Sequence, residues 1–155
     1  LPLYRYRPLL LRTAPPRLAS VCTGAFAAML SAGALARLGG LPQDVVISSM
    51  PTGVSIPFAV EVASMYGGIP SLTAAVVVAV GLLGAICGFK TMKIMRVGSP
   101  IAQGLSMGTA AHAVGTSTAM DISSKYGAYA SLGLTLNGIF TALLTPTILR
   151  LLGVL

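Results

Sequence analysis

Two short stretches hold the residue types that could do chemistry in this chain. "HAVGT", residues 112 to 116, carries the single histidine, followed closely by Gly115 and Thr116. "PTGVSIP", residues 51 to 57, sets Thr52, Gly53 and Ser55 between two prolines. Glycine lets a ligand approach the backbone, and Ser and Thr supply hydroxyl donors. Histidine can donate, accept or titrate. An ionisable ring inside an apolar segment is a functional candidate by default. The same ring could equally hydrogen-bond a neighbouring carbonyl and lock two helices together. Thr52, Gly53, Ser55, His112, Gly115 and Thr116 are therefore the candidate substrate-binding residues. Glu61 and Asp121 form a second candidate set. They could couple a proton or sodium ion, or they could cap or anchor an element near the membrane interface.

The surroundings of these residues decide the class of protein. The chain has 155 residues, 55% hydrophobic and 8% charged. A soluble domain carries about 25% charged residues, so too few charges exist here to cover a water-facing surface. The sequence implies an all-α integral membrane protein. The net charge of +7 is not a nucleic-acid signature, because the basic residues cluster at the ends of oily runs, as cytoplasmic loop charges do. Cys22 and Cys87 are isolated in apolar runs and read as small packing residues. With no CxxC or His/Cys cluster, neither a metal site nor a cofactor is expected. No phosphate-binding Gly-Lys motif and no nucleophile–base pair is evident, so an enzyme is not expected.

Several elements must position the candidates. Residues 1–17, "LPLYRYRPLLLRTAPPR", read as a basic loop with Arg5, Arg7, Arg12 and Arg17. The stretch opens without an initiator Met, which suggests a piece of a longer chain lacking N-terminal transmembrane segments. Residues 18–38 are long enough to span a bilayer, and Gly24, Ala28 and Ala32 form a stripe that permits close helix approach. Residues 43–66 are interrupted by Pro51, Gly53 and Pro57, which argues against one continuous helix. In lipid, freed backbone groups need protein or a water-filled cavity, so this element should be a broken helix or a buried hairpin. A long span over 69–96 follows, with the pair Gly84 and Gly88. Residues 101–126 form a second interrupted segment, broken near His112–Thr116. A last span covers 128–152, with Asn137 as its main polar member and Pro146 as a source of kinking.

The two interrupted segments are related. "AVEVASMYGGIPSL" (59–72) aligns without gaps on "AMDISSKYGAYASL" (119–132), and Glu61 faces Asp121. The same register sets Thr52 on His112 and Ser55 on Gly115. Two repeats, about 43–96 and 101–152, are expected. The positive-inside rule favours a re-entrant first element, since Lys90, Lys93, Arg96 and Lys125 then share a face with the N-terminal arginines. Each repeat becomes a hairpin plus one crossing, and the two are inverted in the membrane. A helix broken at mid-depth exposes N–H groups at one half-helix end, where an anion is favoured.

At these residues a resemblance enters. "MPTGVSIPFAVEVASMYGGIPSLTAAVVVAVGLLGAICGF" and "RVGSPIAQGLSMGTAAHAVGT" resemble the LrgB/CidB family, which includes bacterial antiholin-like proteins and the C-terminal half of plastid glycolate/glycerate translocators. The family usually reads Pro-Lys-Ser-Val-Thr-Thr-Pro where this chain has "PTGVSIP", so the family's lysine is absent at Thr52. The resemblance implies either transport of small organic anions (glycolate, glycerate or pyruvate type) or modulation of murein hydrolase export and cell lysis. It also implies an LrgA/CidA-like membrane partner. A homo-oligomer is a further expectation. The location would be a bacterial inner or plasma membrane, or a plastid envelope in a eukaryote.

Overall fold

The structure, a computed structural model, describes residues 14–154. Arg5, Arg7 and Arg12 of the basic stretch lie outside the described residues. Among the described residues all regular elements are helices. They are α1 (Ala14–Leu38), α2 (Gln43–Ser49), α3 (Ile56–Met65), α4 (Pro70–Ile94), α5 (Pro100–Ile122) and α6 (Ser124–Leu151). Three helices are long and apolar enough to cross a bilayer: α1, α4 and α6. The chain is a helical membrane protein.

Proline marks the helix starts. Pro57, Pro70 and Pro100 each occupy the first turn of a helix, where the missing N–H has no intrahelical acceptor to lose. Pro57 therefore starts α3 instead of lying in the break. Residues 15–17, expected in the basic loop, likewise open α1. Arg17 is buried there, with its guanidinium 4.9 Å from the Tyr129 ring centroid. Pro146, expected as a source of kinking, leaves α6 as one 28-residue helix.

The element around Pro51 is a hairpin. The backbone N–H of Ile69 donates to Ser48 Oγ at 2.7 Å, and a Cβ on Gly68 would stand 3.0 Å from Ile47 Cγ2. Residues 68 and 69 follow α3, yet they lie beside the end of α2. The chain must therefore reverse between Met50 and Ser55.

The second interrupted element reverses too, within a single residue. His112 sits at φ 41, ψ −130, outside the helical region. A Cβ on Gly115 would meet the Met107 carbonyl oxygen at 2.5 Å, whereas eight residues of straight helix span about 12 Å. Gly104, near the start of α5, packs against Tyr126 and Tyr129 at the start of α6. Only a returning second arm allows that approach. The break is thus confined to His112, and Gly115 and Thr116, expected within it, are already helical.

Contacts fix the directions of the spans. Arg17 meets Tyr129 near the starts of α1 and α6, and Arg37 meets Gly153 near their ends, so these two helices run the same way. Gly84 packs on Ala111 and Gly88 on Met107, so α4 runs against the outgoing arm of α5. Arg17, Lys90, Lys93, Arg96 and Lys125 gather toward one face. Arg37 and Arg150 lie toward the other.

Candidate functional site

Both reversals lie at mid-depth. Asn137, at the middle of α6, donates from Nδ2 to the carbonyl of Gly53 at 2.6 Å and to that of Thr109 at 3.0 Å. One amide group therefore ties the tip of the first hairpin to the last turn before the second reversal. A carbonyl near a helix end needs a donor in a low-dielectric interior, and Asn137 supplies two. Gly53 permits this approach, because a Cβ there would stand 2.7 Å from Nδ2 and 2.9 Å from the Thr109 oxygen.

The other reversal is held against α4. His112 is 2% exposed and its Nε2 lies 2.9 Å from the Val77 carbonyl oxygen. A carbonyl accepts only, so Nε2 carries the proton. Gly81 leaves the space the imidazole fills: a Cβ there would collide with Cε1 and Nε2. Thr116 Oγ1 donates to the His112 carbonyl at 2.8 Å, a bond to the carbonyl one turn back at the start of the returning arm. Gly115 packs against the Met107 turn.

A cleft of about 310 Å³ adjoins Asn137. Its polar walls are Ser20, Ser106, Thr109, Asn137 and Thr141, with the Gly53 backbone; Gly24 and Ala28 of α1 line the facing side. It extends from Ser20 and Ala102, toward the basic face, to the hairpin tips. No Asp, Glu, Lys, Arg or His lines it among the described residues. The volume sits at the low end of the ~300–1,000 Å³ typical of small-molecule sites.

Of the six residues singled out as substrate-binding, Gly53 lines this cleft. Ser55 lines a separate groove with Val54, Phe58 and Thr135. Thr52 lies at the hairpin tip, its N–H bonded to the Met50 carbonyl at 2.9 Å. His112, Gly115 and Thr116 pack within the second hairpin, with the imidazole turned to α4. Glu61 and Asp121 are both exposed, on separate hairpins, and neither lines the cleft. Asn137 was visible as the polar member of the last span, but its role depends on contacts 84 and 28 residues away in sequence. Ser20 and Gly24 belong to the small-residue region of α1, whose spacing pointed to close helix approach. Ser106, Thr109 and Thr141 carried no signal distinguishing them from other hydroxyl residues.

Two hairpins meeting at mid-depth among three crossing helices define the class of membrane protein. The chain belongs to the LrgB-like family, which matches residues 1–151. It is 38% identical over 152 residues to an uncharacterized protein of Haemophilus influenzae, covering 98% of this chain and 66% of that protein. Protein YwbG of Bacillus subtilis is 34% identical over 149 residues, 96% of this chain and 66% of YwbG. The holin-like protein CidB of Staphylococcus aureus is 29% identical over 150 residues, 97% of this chain and 66% of CidB. The chain thus spans about two thirds of the length of these relatives. No solved structure matches it.

Proposed function

We propose that the protein is a secondary transporter or exporter of small organic carboxylates, of the glycolate, glycerate or pyruvate type, bound in the cleft beside Asn137. The observation that carries this reading is the joining of two hairpin tips by one polar side chain at mid-depth, next to a cleft of ligand size. Discontinuous helices meeting at the bilayer midplane are how many transporters build substrate sites. The returning arms, α3 and residues 113–122, both start at mid-depth but do not line the cleft, whose polar wall is Asn137 with the hydroxyl residues Ser20, Ser106, Thr109 and Thr141. Asn137 offsets the opposing carbonyl ends. The basic face toward which the cleft extends would raise the local anion concentration.

The halves form two inverted repeats in this reading. The register that sets 59–72 on 119–132 also pairs Thr52 with His112 and Val77 with Asn137. The contacts respect that pairing: the first tip meets Asn137 on the second span, and His112 of the second tip meets Val77 on the first. The hairpins enter from opposite faces, as inverted halves require.

A second reading, a holin-like membrane protein affecting murein hydrolase export, is favoured by the name of the CidB relative. Counterflow of labelled glycolate and pyruvate in proteoliposomes separates the two. Saturable exchange, with a large trapped dye retained, is expected. Dye leakage without exchange would overturn the transporter reading in favour of the holin-like one.

A further inference from the structure

The described charges balance on one face of the molecule and not on the other. Arg37 and Arg150 share their face with Asp44 and Glu61, whereas Arg17, Lys90, Lys93, Arg96 and Lys125 share theirs with Asp121 alone among the described residues. Lys90, Lys93 and Arg96 crowd the end of α4, where every one of residues 90–96 except Met92 is exposed. Ile94 and Met95, set among these cations, are 82% and 70% exposed. The Phe89 and Tyr126 rings lie 6.1 Å apart, centroid to centroid, which brings Lys125 to the same end. Among the described residues no acidic group pairs with Lys90, Lys93, Arg96 or Lys125.

Arg96 holds a backbone conformation that suits glycine, with φ 56. Its N–H donates to the Lys93 carbonyl at 3.1 Å, and the Val97 N–H to that of Met92 at 2.9 Å. This is the helix ending that glycine usually completes. Glycine would take the position at lower cost, so the arginine adds charge there and nothing to the cap. Beside the cations a groove of about 280 Å³ runs between α4 and the outgoing arm of α5. Gly84, Cys87, Gly88 and Thr91 line one side, and Met107 and Ala110 the other. Thr91 Oγ1 donates to the Cys87 carbonyl at 3.0 Å, so its hydroxyl is satisfied within its own helix. The groove is almost wholly apolar, and it ends toward the cations at Thr91 and Met92.

We propose that this end of α4 is a binding site for an anionic phospholipid, with the head-group phosphate held by Lys90, Lys93 and Arg96 and an acyl chain laid in the α4–α5 groove. The groove alone would accept any lipid. The unbalanced cations at its end select an anionic head group, because basic residues at a membrane surface attract such lipids and their attractions add. The site is independent of what the cleft beside Asn137 carries.

The protein contains no tryptophan, so a single introduced indole reports its own lipid contacts. Leu83→Trp places one on the groove, and Ile139→Trp places one on α6, each near the middle of its helix. Both native side chains are exposed. Each variant is reconstituted in phosphatidylcholine mixed with phosphatidylglycerol, one of the two lipids being brominated in its acyl chains to quench the indole. At Leu83→Trp, phosphatidylglycerol should be favoured about five-fold or more. At Ile139→Trp the two lipids should quench alike. Adding Lys90→Gln, Lys93→Gln and Arg96→Gly to Leu83→Trp should bring its ratio close to unity. Arg96→Gly by itself should lower the ratio without lowering thermal stability, because glycine fits the backbone there. A lost preference in that variant therefore reports the charge and not a damaged fold. Equal quenching by both lipids at Leu83→Trp, the same preference at both positions, or a preference that survives the triple change would each overturn the site.

Discussion

At the residue scale, His112 combines two demands that seldom coincide. Its backbone lies at φ 41, ψ −130, outside the main regions open to L-residues and near the first central position of a type II′ turn, where glycine is favoured. Its ring also fills the space above Gly81 and bonds Val77. Gly81→Ala would drive a methyl into that ring, with an expected loss of about 1–3 kcal/mol from overpacking. His112→Ala removes the hydrogen bond and leaves a void, an expected loss of about 2–4 kcal/mol. The double variant should cost clearly less than the sum, because the new methyl enters the vacated space. Thermal unfolding of the four proteins in detergent measures this coupling. Strictly additive losses would mean that the ring and Gly81 do not share that space.

At the element scale, the two hairpins reach the same depth by different means. The first turns over the stretch Met50–Ser55, and the second turns at His112. Gly53→Ala tests how the first tip docks. Its methyl would press on Asn137 Nδ2 and the Thr109 carbonyl, displacing the tip from its tie. We expect carboxylate exchange to fall at least about ten-fold, the equivalent of one lost hydrogen bond of about 1.4 kcal/mol, while membrane insertion is retained. Full exchange by this variant would dissociate the tie from transport. The sequence revealed both interruptions because Pro51, Pro57 and the Gly, Ser and Thr residues around His112 break local helical periodicity. It could not reveal that α5 reverses within one residue, since Gly115 and Thr116 look as disruptive as His112. Gly115 is instead needed for packing on Met107. Nor could local pattern show that Asn137 joins two tips, because that contact exists only once distant segments assemble.

At the scale of the whole molecule, the hairpins determine which loops share a face. In a background with Cys22 and Cys87 replaced by alanine, single cysteines at Gly98 and Lys125 should label from one side of the membrane. Cysteines at Leu41 and Ser64 should label from the other. Each pair brackets one hairpin, so a fully crossing element would split its pair across the membrane. The expected arrangement also keeps Lys90, Lys93, Arg96 and Lys125 together, in line with the bias that orients membrane proteins. The crossing helices were legible from length and hydropathy, and the first span was misjudged only at its start. There Pro15, Pro16 and Arg17 look like loop but form a helical first turn.

The single-residue reversal at His112 also makes chain length a fixed quantity in the second half of the molecule. One residue added after His112 would rotate the whole returning arm by about 100°. Gly115 would then turn away from Met107, and Ala119 would leave the cluster it shares with Met92 and Ala130. The first tip is held as well, because Met50, Pro51 and Val54 are buried and Gly53 touches Asn137 and the Thr109 carbonyl, so an added residue there would pull Gly53 off its tie. At both tips the count of residues is itself part of the structure.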